Sequence, residues 1–328
     1  MKKLISLILA MTMMLALFSG CGAAEKADDG VYTVAIVQQL DHSSLDEIRV
    51  AIEAQLQALA EKAGVTIEIE TYNGQNDASM LNQIGTQIVS DGVDMIIPIA
   101  TMAAQCMVTA AEGTDIPIVY AAISDPEGAG LTGLPNVTGV SDALNTAFIL
   151  DMMLAVNPDV KTVGLLYSNS EINSEAPIAQ AKAYLDAKGI AYLEKTGNTS
   201  GEIVTAASDL VGRVDAVFTP TDNVVMATEA AVAEILIQAG IPHYAGADSF
   251  VLSGAFATCG VNYTELGTKT ADIAMEILLG GEIGEFHVMD GGIITVNAET
   301  AAGLTLDFTP FHSMANTVNI VGMENMAR

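Results

Sequence analysis

Residues 94–121 read DMIIPIATMAAQCMVTAAEGTDIPIVYA. The run Asp94–Ile99 lacks the alternation of a half-solvated strand, so it predicts a strand buried on both faces. Thr101–Glu112 then has helical spacing with Thr101 as its expected N-cap, and Ile116–Ala121 is a second apolar strand. Strand, helix and strand in this order imply parallel pairing through a right-handed crossover.

The rhythm extends in both directions. Upstream, Val31–Val37 is a β-rich run, and Leu45–Ala63 is a helix stopped by Gly64. Val65–Tyr72 alternates like a half-buried strand, and Asp77–Ser90 carries Met80, Leu81, Ile84, Ile88 and Val89 at helical spacing. Downstream, after a helix near Ala143–Val156, the pattern restarts. Strands are expected at Thr162–Tyr167, Ile190–Lys195, Ala216–Thr219 and His243–Gly246, with helices at Ser174–Lys188, Gly201–Val211 and Asp222–Ala239 between them. Late strands at Gly254–Thr258 and Ile293–Val296 flank a helix at Thr264–Gly280. The fold class is therefore α/β, with two doubly wound parallel-sheet lobes joined by more than one crossing. The expected division is 31–142 plus about 260–288 for lobe one and 143–259 plus about 289–309 for lobe two, with 310–328 an appended tail.

The N-terminus predicts export. Lys2 and Lys3 precede the apolar run Leu4–Phe18, too short to span a bilayer comfortably, and Leu17-Phe18-Ser19-Gly20-Cys21 has the form of a lipobox. Residues 1–20 read as a signal peptide, Cys21 as the lipidated residue and 21–30 as a flexible tether. Losing Lys2 and Lys3 takes the formal charge from −28 to −30, which disfavours nucleic acid as a partner. Cys106 and Cys259 read as two buried free thiols. The histidines at 42, 243, 287 and 312 show no metal-ligand spacing, and His243 reads as structural. No nucleophile elbow or phosphate-binding glycine fingerprint occurs, so neither enzymatic activity nor a cofactor is expected.

Ligands of doubly wound sheets bind at the carboxyl ends of strands. Here those ends run into Gln38–Ser44, Ala100-Thr101, Ile123–Pro126, Ser168–Ser174, Pro220–Asn223 and Ala247–Ser249, all rich in Ser, Thr, Asp and Asn. The same residue types are the preferred helix caps, so at each position capping and ligand contact stand as alternatives. The presence of such segments in both lobes favours a shared polar cleft.

At these segments the chain resembles the ABC-transporter substrate-binding proteins of the tryptophan/tyrosine-transport type, with a type I periplasmic-binding fold. The matching stretches are Ala100–Gln105, Ser124–Gly130, Asn136–Asp142, Ser170–Ser174, Pro220–Asn223 and Tyr263–Gly267, within a likeness that spans about Val31–Asp307. The resemblance implies a ligand held from lobe one by His42, Thr101, Ala103 and Ser124. From lobe two it implies Glu171, Asn173, Asp222, Asn223 and Asp248. Thr101 and the free N–H groups of its helix suit a carboxylate, while Asp222, Asp248 and Glu171 suit an ammonium group.

An amino acid zwitterion fits that arrangement, aromatic or branched-chain, and a different metabolite stays open. The chain has no Trp, and Gln39 stands where an aromatic is expected in relatives that bind aromatic side chains. The implied partners are the permease and ATPase of an importer, for a monomer held on the outer face of the membrane. The alternatives are a sensory receptor serving a membrane signalling partner, a repressor core, for which the N-terminus offers no basic helix-turn-helix, and an enzyme.

Overall fold

The computed structural model describes residues 30–322; the leader, Cys21 and most of the tether lie outside the described residues. Lobe one opens with β1 (Val31–Gln38), α1 (Ser43–Ala63), β2 (Thr66–Asn73), α2 (Ala78–Asp91), β3 (Met95–Ile99), α3 (Thr101–Ala110), β4 (Ile118–Ala121) and β5 (Val137–Ser141). Lobe two follows with α4 (Thr146–Val156), β6 (Thr162–Tyr167), a 3-10 turn at Ile172–Ser174, α5 (Glu175–Lys188), β7 (Ala191–Thr196), α6 (Ser200–Ser208), β8 (Ala216–Thr219), α7 (Asn223–Met226) and α8 (Glu229–Gln238). It continues through β9 (His243–Ala245), α9 (Asp248–Leu252) and β10 (Ala257–Gly260). The chain then supplies α10 (Tyr263–Leu278), β11 (His287–Val288), β12 (Ile293–Asn297), α11 (Ala298–Leu304), α12 (Phe311–Met314) and β13 (Thr317–Val321).

Two sheets result, ordered β11-β5-β4-β3-β1-β2 and β13-β12-β10-β9-β8-β6-β7. The expected α/β architecture of parallel-dominated lobes is what the chain adopts. Both sheets reverse direction of winding beside their first strand, between β1 and β3 and between β6 and β8, and such switch points open a crevice at the strand ends. β3 is buried at every position because helices cover both its faces. β12 pairs antiparallel with β10, the exception within the second sheet's core.

The chain passes between the sheets after β5, after β10 and after β11. The middle passage sends α10 back onto lobe one, where it lies against α1. Gly267 makes that approach possible, since a Cβ there would stand 2.6 Å from the Ile48 carbonyl oxygen. Gln55 donates to Asp272 (2.7 Å) along the same seam.

Three readings change in detail. The helix expected over Asp222–Ala239 is two helices, α7 and α8, broken at 227–228. The N-cap of α3 is Ala100 rather than Thr101, which is the first helical residue. Within the segment read as a tail, Thr317–Val321 pairs in parallel with β12 and becomes the sheet's edge strand. Its apolar residues are few and partly or wholly exposed, so no period announces it. Cys106 and Cys259 are both free and buried, on different lobes.

Candidate functional site

The carboxyl ends of β1, β3, β4 and β5 face those of β6, β8 and β9, and a cavity of about 30 Å³ is enclosed between them. That is room for about two water molecules. The lobes touch directly around it. Ser124 Oγ and Thr221 Oγ1 are hydrogen-bonded at 2.9 Å, and His42 Nε2 meets Asn223 Oδ1 at 3.1 Å. Gln39 Nε2 donates to Glu171 Oε1 at 2.9 Å. The arrangement is closed, and an amino acid enters only if these contacts part.

Strained backbone marks the lobe-one wall. Ala100 (φ 76°) and Ala122 (φ 57°), at the ends of β3 and β4, hold left-handed conformations and both line the cavity. Each such residue costs about 1–3 kcal/mol and persists only where its surroundings impose it. The turn at Ala100 aims the start of α3 inward. The first N–H groups of a helix have no intrahelical acceptor. Met102 N–H donates to Gln39 Oε1 (3.0 Å), and the N–H groups of Thr101 and Ala103 belong to the same open set.

Asp142, at the end of β5, is the acid of the lobe-one wall. It accepts from Ser124 Oγ (2.9 Å) and from Tyr263 Oη (3.4 Å), and burial pushes its carboxyl above the usual carboxylate range. Asp222 is fully buried at the start of α7, and its donors are all from its own lobe. Oδ2 accepts Ser168 N–H (2.7 Å) and Ser174 Oγ (2.7 Å), while Oδ1 accepts Val225 N–H (3.0 Å). Asn173 Nδ2 donates to the Thr221 carbonyl (2.7 Å), fixing the loop that meets Ser124. Of the two readings open at Asp222, capping is the one its bonds display; Thr101 and His42 make no side-chain cap.

Of the residues expected at the site, His42, Thr101, Ser124, Asn173, Asp222 and Asn223 line the cavity. Ala103 packs in the core behind α3. Glu171 is 2% exposed but stands behind Asn223, whose Nδ2 donates to Glu171 Oε2 (2.6 Å). Burial and the neighbouring charge of Asp222 push the Glu171 carboxyl up to about 7. Asp248 does not line the cavity, although Ala247 and Ser249 on either side of it do. Burial and the charge of Glu47 raise its carboxyl to about 6.

The cavity also contains residues that sequence reasoning did not select as ligand contacts: Asp142, Tyr263, Thr221, Ser44, Ser249 and Phe250. Asp142 and Thr221 sit at strand ends and fall under the same rule as their neighbours. Tyr263 reaches the site only because α10 returns to lobe one. Ser44 Oγ, Ser249 Oγ and His42 Nδ1 are buried without a partner among the described residues, donors and acceptors still available inside the cleft. Phe250 is held from behind by His243, edge-on at 6.3 Å, itself clamped by Glu229 (2.9 Å) and Thr219 (2.8 Å). His243 is thus a core residue.

Residues 33–309 match the family model described as ABC transporter substrate binding protein. The chain belongs to this family. The "Tyrosine-binding protein" of Clostridioides difficile (strain R20291) is 32% identical over 322 residues, 93% of each chain. Among solved structures, the ABC domain of Streptococcus pneumonia in complex with L-Trp is 29% identical, with a TM-score of 0.81 over 88% of this chain and 99% of that one. A ligand-free, open substrate binding protein with adhesive properties from Clostridium difficile is 31% identical over 89% of this chain and 99% of that one, yet its TM-score is 0.67. At nearly equal identity the shape follows the ligand-bound relative, as the hydrogen-bonded seam requires. Members of this family bind solutes for ABC transporters. Among the described residues no helix is long and apolar enough to cross a membrane.

Proposed function

We propose that this substrate-binding protein captures an aromatic amino acid as its zwitterion, outside the cytoplasm, for an ABC importer, and that Cys21 carries its lipid anchor. The observation that carries this reading is the charge of the cavity wall. Asp142 and Asp222 line it, no Lys or Arg among the described residues does, and burial pushes both carboxyls above their usual range. A cationic group arriving there relieves that cost. Asp142 is the better partner for an ammonium group, because its present donors are neutral hydroxyls, whereas Asp222 is engaged within its own lobe. The sequence reading gives that role to Asp222, Asp248 and Glu171; the geometry favours Asp142.

A carboxylate has its counterpart at the start of α3, where the Thr101 hydroxyl, open N–H groups and the positive end of a ten-residue helix coincide. Phe250 and Tyr263 supply aromatic surface for a side chain, a role the absence of Trp makes hard to place from sequence. The names of the relatives, one binding tyrosine and one solved with L-Trp, agree with that surface.

The test is a thermal-shift screen of the twenty amino acids with glucose and a nucleoside as controls, followed by calorimetry on Asp142→Asn. Tyrosine or tryptophan should give the largest stabilisation, and the variant should lose about 2–4 kcal/mol of binding energy. The reading fails if no aromatic amino acid stabilises the chain, or if Asp142→Asn binds as tightly as the natural protein.

A further inference from the structure

We infer that Gln39 and Glu171 form the latch of the closed cleft, and that Gln39 is a positioning residue which couples closure to the placement of the α3 N-terminus. The inference rests on the amino acid reading above and assigns to that site a part that makes no ligand contact. Gln39 is 0% exposed, and its side-chain nitrogen and oxygen are both engaged. Nε2 donates across the seam to Glu171 Oε1 (2.9 Å) and, within lobe one, to Asn76 Oδ1 (2.8 Å). Oε1 accepts Met102 N–H (3.0 Å), one residue after Thr101. On the far side, Glu171 receives Asn223 Nδ2 on its other oxygen (2.6 Å), and Asn223 in turn meets His42 of lobe one.

The path from lobe two to α3 is therefore continuous: Asn223, Glu171, Gln39, Met102 N–H. Its position separates it from the other contacts of the seam. Ser124, Thr221, His42 and Asn223 all line the cavity, so a ligand can take over their bonds; Gln39 and Glu171 do not line it. Their bond is therefore not one that the ligand's own polar groups replace. The Glu171 carboxyl is met by carboxamides rather than by a cation, so each lost donor leaves a buried acid less satisfied. When the lobes part, Glu171 loses Gln39, and the carboxamide that orients the start of α3 is held from one side only.

The experiment uses the mature chain with tyrosine as probe and compares Glu171→Gln, Gln39→Glu and the double swap. Tyrosine dissociation is followed by stopped flow, and the separation of the lobes by energy transfer between labels at the exposed positions 50 and 211. Each single variant should release tyrosine about 10- to 100-fold faster with association nearly unchanged, and should shift the label distance toward the open form. In the swap, the carboxylate introduced at position 39 accepts from Met102 N–H and from the new carboxamide at 171, while the Asn76 carboxamide turns over to donate. Dissociation should then return to within about threefold of the natural rate. Single variants that unfold while the swap folds and binds support the same coupling. The latch is overturned if the single variants dissociate at the natural rate, if the two losses simply add in the swap, or if the swap also fails to fold. Failure of the natural chain to bind any amino acid would instead reject the functional reading, and the label distances of the variants would still decide the latch.

Discussion

Lobe one and lobe two repeat one plan with opposite chemistry at the same place. In lobe one, Asp94 ahead of β3 accepts Thr33 N–H at the start of β1 (2.8 Å); in lobe two, Asp215 ahead of β8 accepts Thr162 N–H at the start of β6 (2.9 Å). Seven residues beyond each aspartate the chain enters the cleft, at Thr101 and at Asp222. Thr101 lines the cavity and makes no cap, and of the N–H groups beginning its helix Met102 N–H goes to Gln39 Oε1. Asp222 caps α7 and ties the β6 loop to it through Ser168 and Ser174. Equivalent positions in equivalent topologies need not share a role. On the proposed reading, one lobe offers its helix start to a ligand, while the other uses its own as a strut.

Asp222→Ala is the sharpest test of this difference. It strands two buried N–H groups and a buried hydroxyl, so unfolding by urea should show a loss of about 3–5 kcal/mol even without ligand. A variant as stable as the natural chain would remove the strut and return Asp222 to the ligand. The pH dependence should be smaller. Glu171 and Asp248 have carboxyls raised to about 7 and about 6, mainly by burial, and both hold protons more tightly folded than unfolded. Their contribution is therefore complete below the ordinary carboxylate range and lost as pH rises through 6 to 7. The ligand-free chain should lose on the order of 1–2 kcal/mol between pH 5 and pH 8, visible as a falling thermal midpoint. A midpoint that rises over that window would contradict the burial of these acids. Smallest in its effect on folding is Thr101→Val. Stability should change by less than about 0.5 kcal/mol, while amino acid binding weakens by about 1 kcal/mol. An equal loss in both would make Thr101 a strut like Asp222 and erase the contrast.

The fold was largely legible because parallel strands covered on both faces must be continuous apolar runs, as β3 and β8 are, and their helices announce themselves by period. β13 was not, since a half-exposed edge strand of Thr, Val, Asn and Ile has neither signal. Within the site, the polar strand ends marked the segments, and the resemblance singled out His42, Thr101, Ser124, Asn173, Asp222 and Asn223, which line the cavity, with Ala103, Glu171 and Asp248, which do not. The strand ends did not separate cap from contact, because the same carboxylate or hydroxyl suits both. Gln39 is the clearest case. As a residue type it looked like a missing aromatic, and only its three simultaneous partners, drawn from the helix after β3, the loop after β2 and the other lobe, reveal what it does.

By itself the sequence determined two doubly wound lobes and a polar cleft at their strand ends, because periodicity and strand-end composition are local properties of the chain. Which acids line the cavity, and with which partners, was decided only by tertiary structure. Asp142 acquires Tyr263 through a helix that returns from beyond lobe two, Asp222 is claimed by its own loop, and Glu171 is set behind Asn223. Burial and partnership are properties of where distant segments meet, and they give chemically identical carboxylates different work.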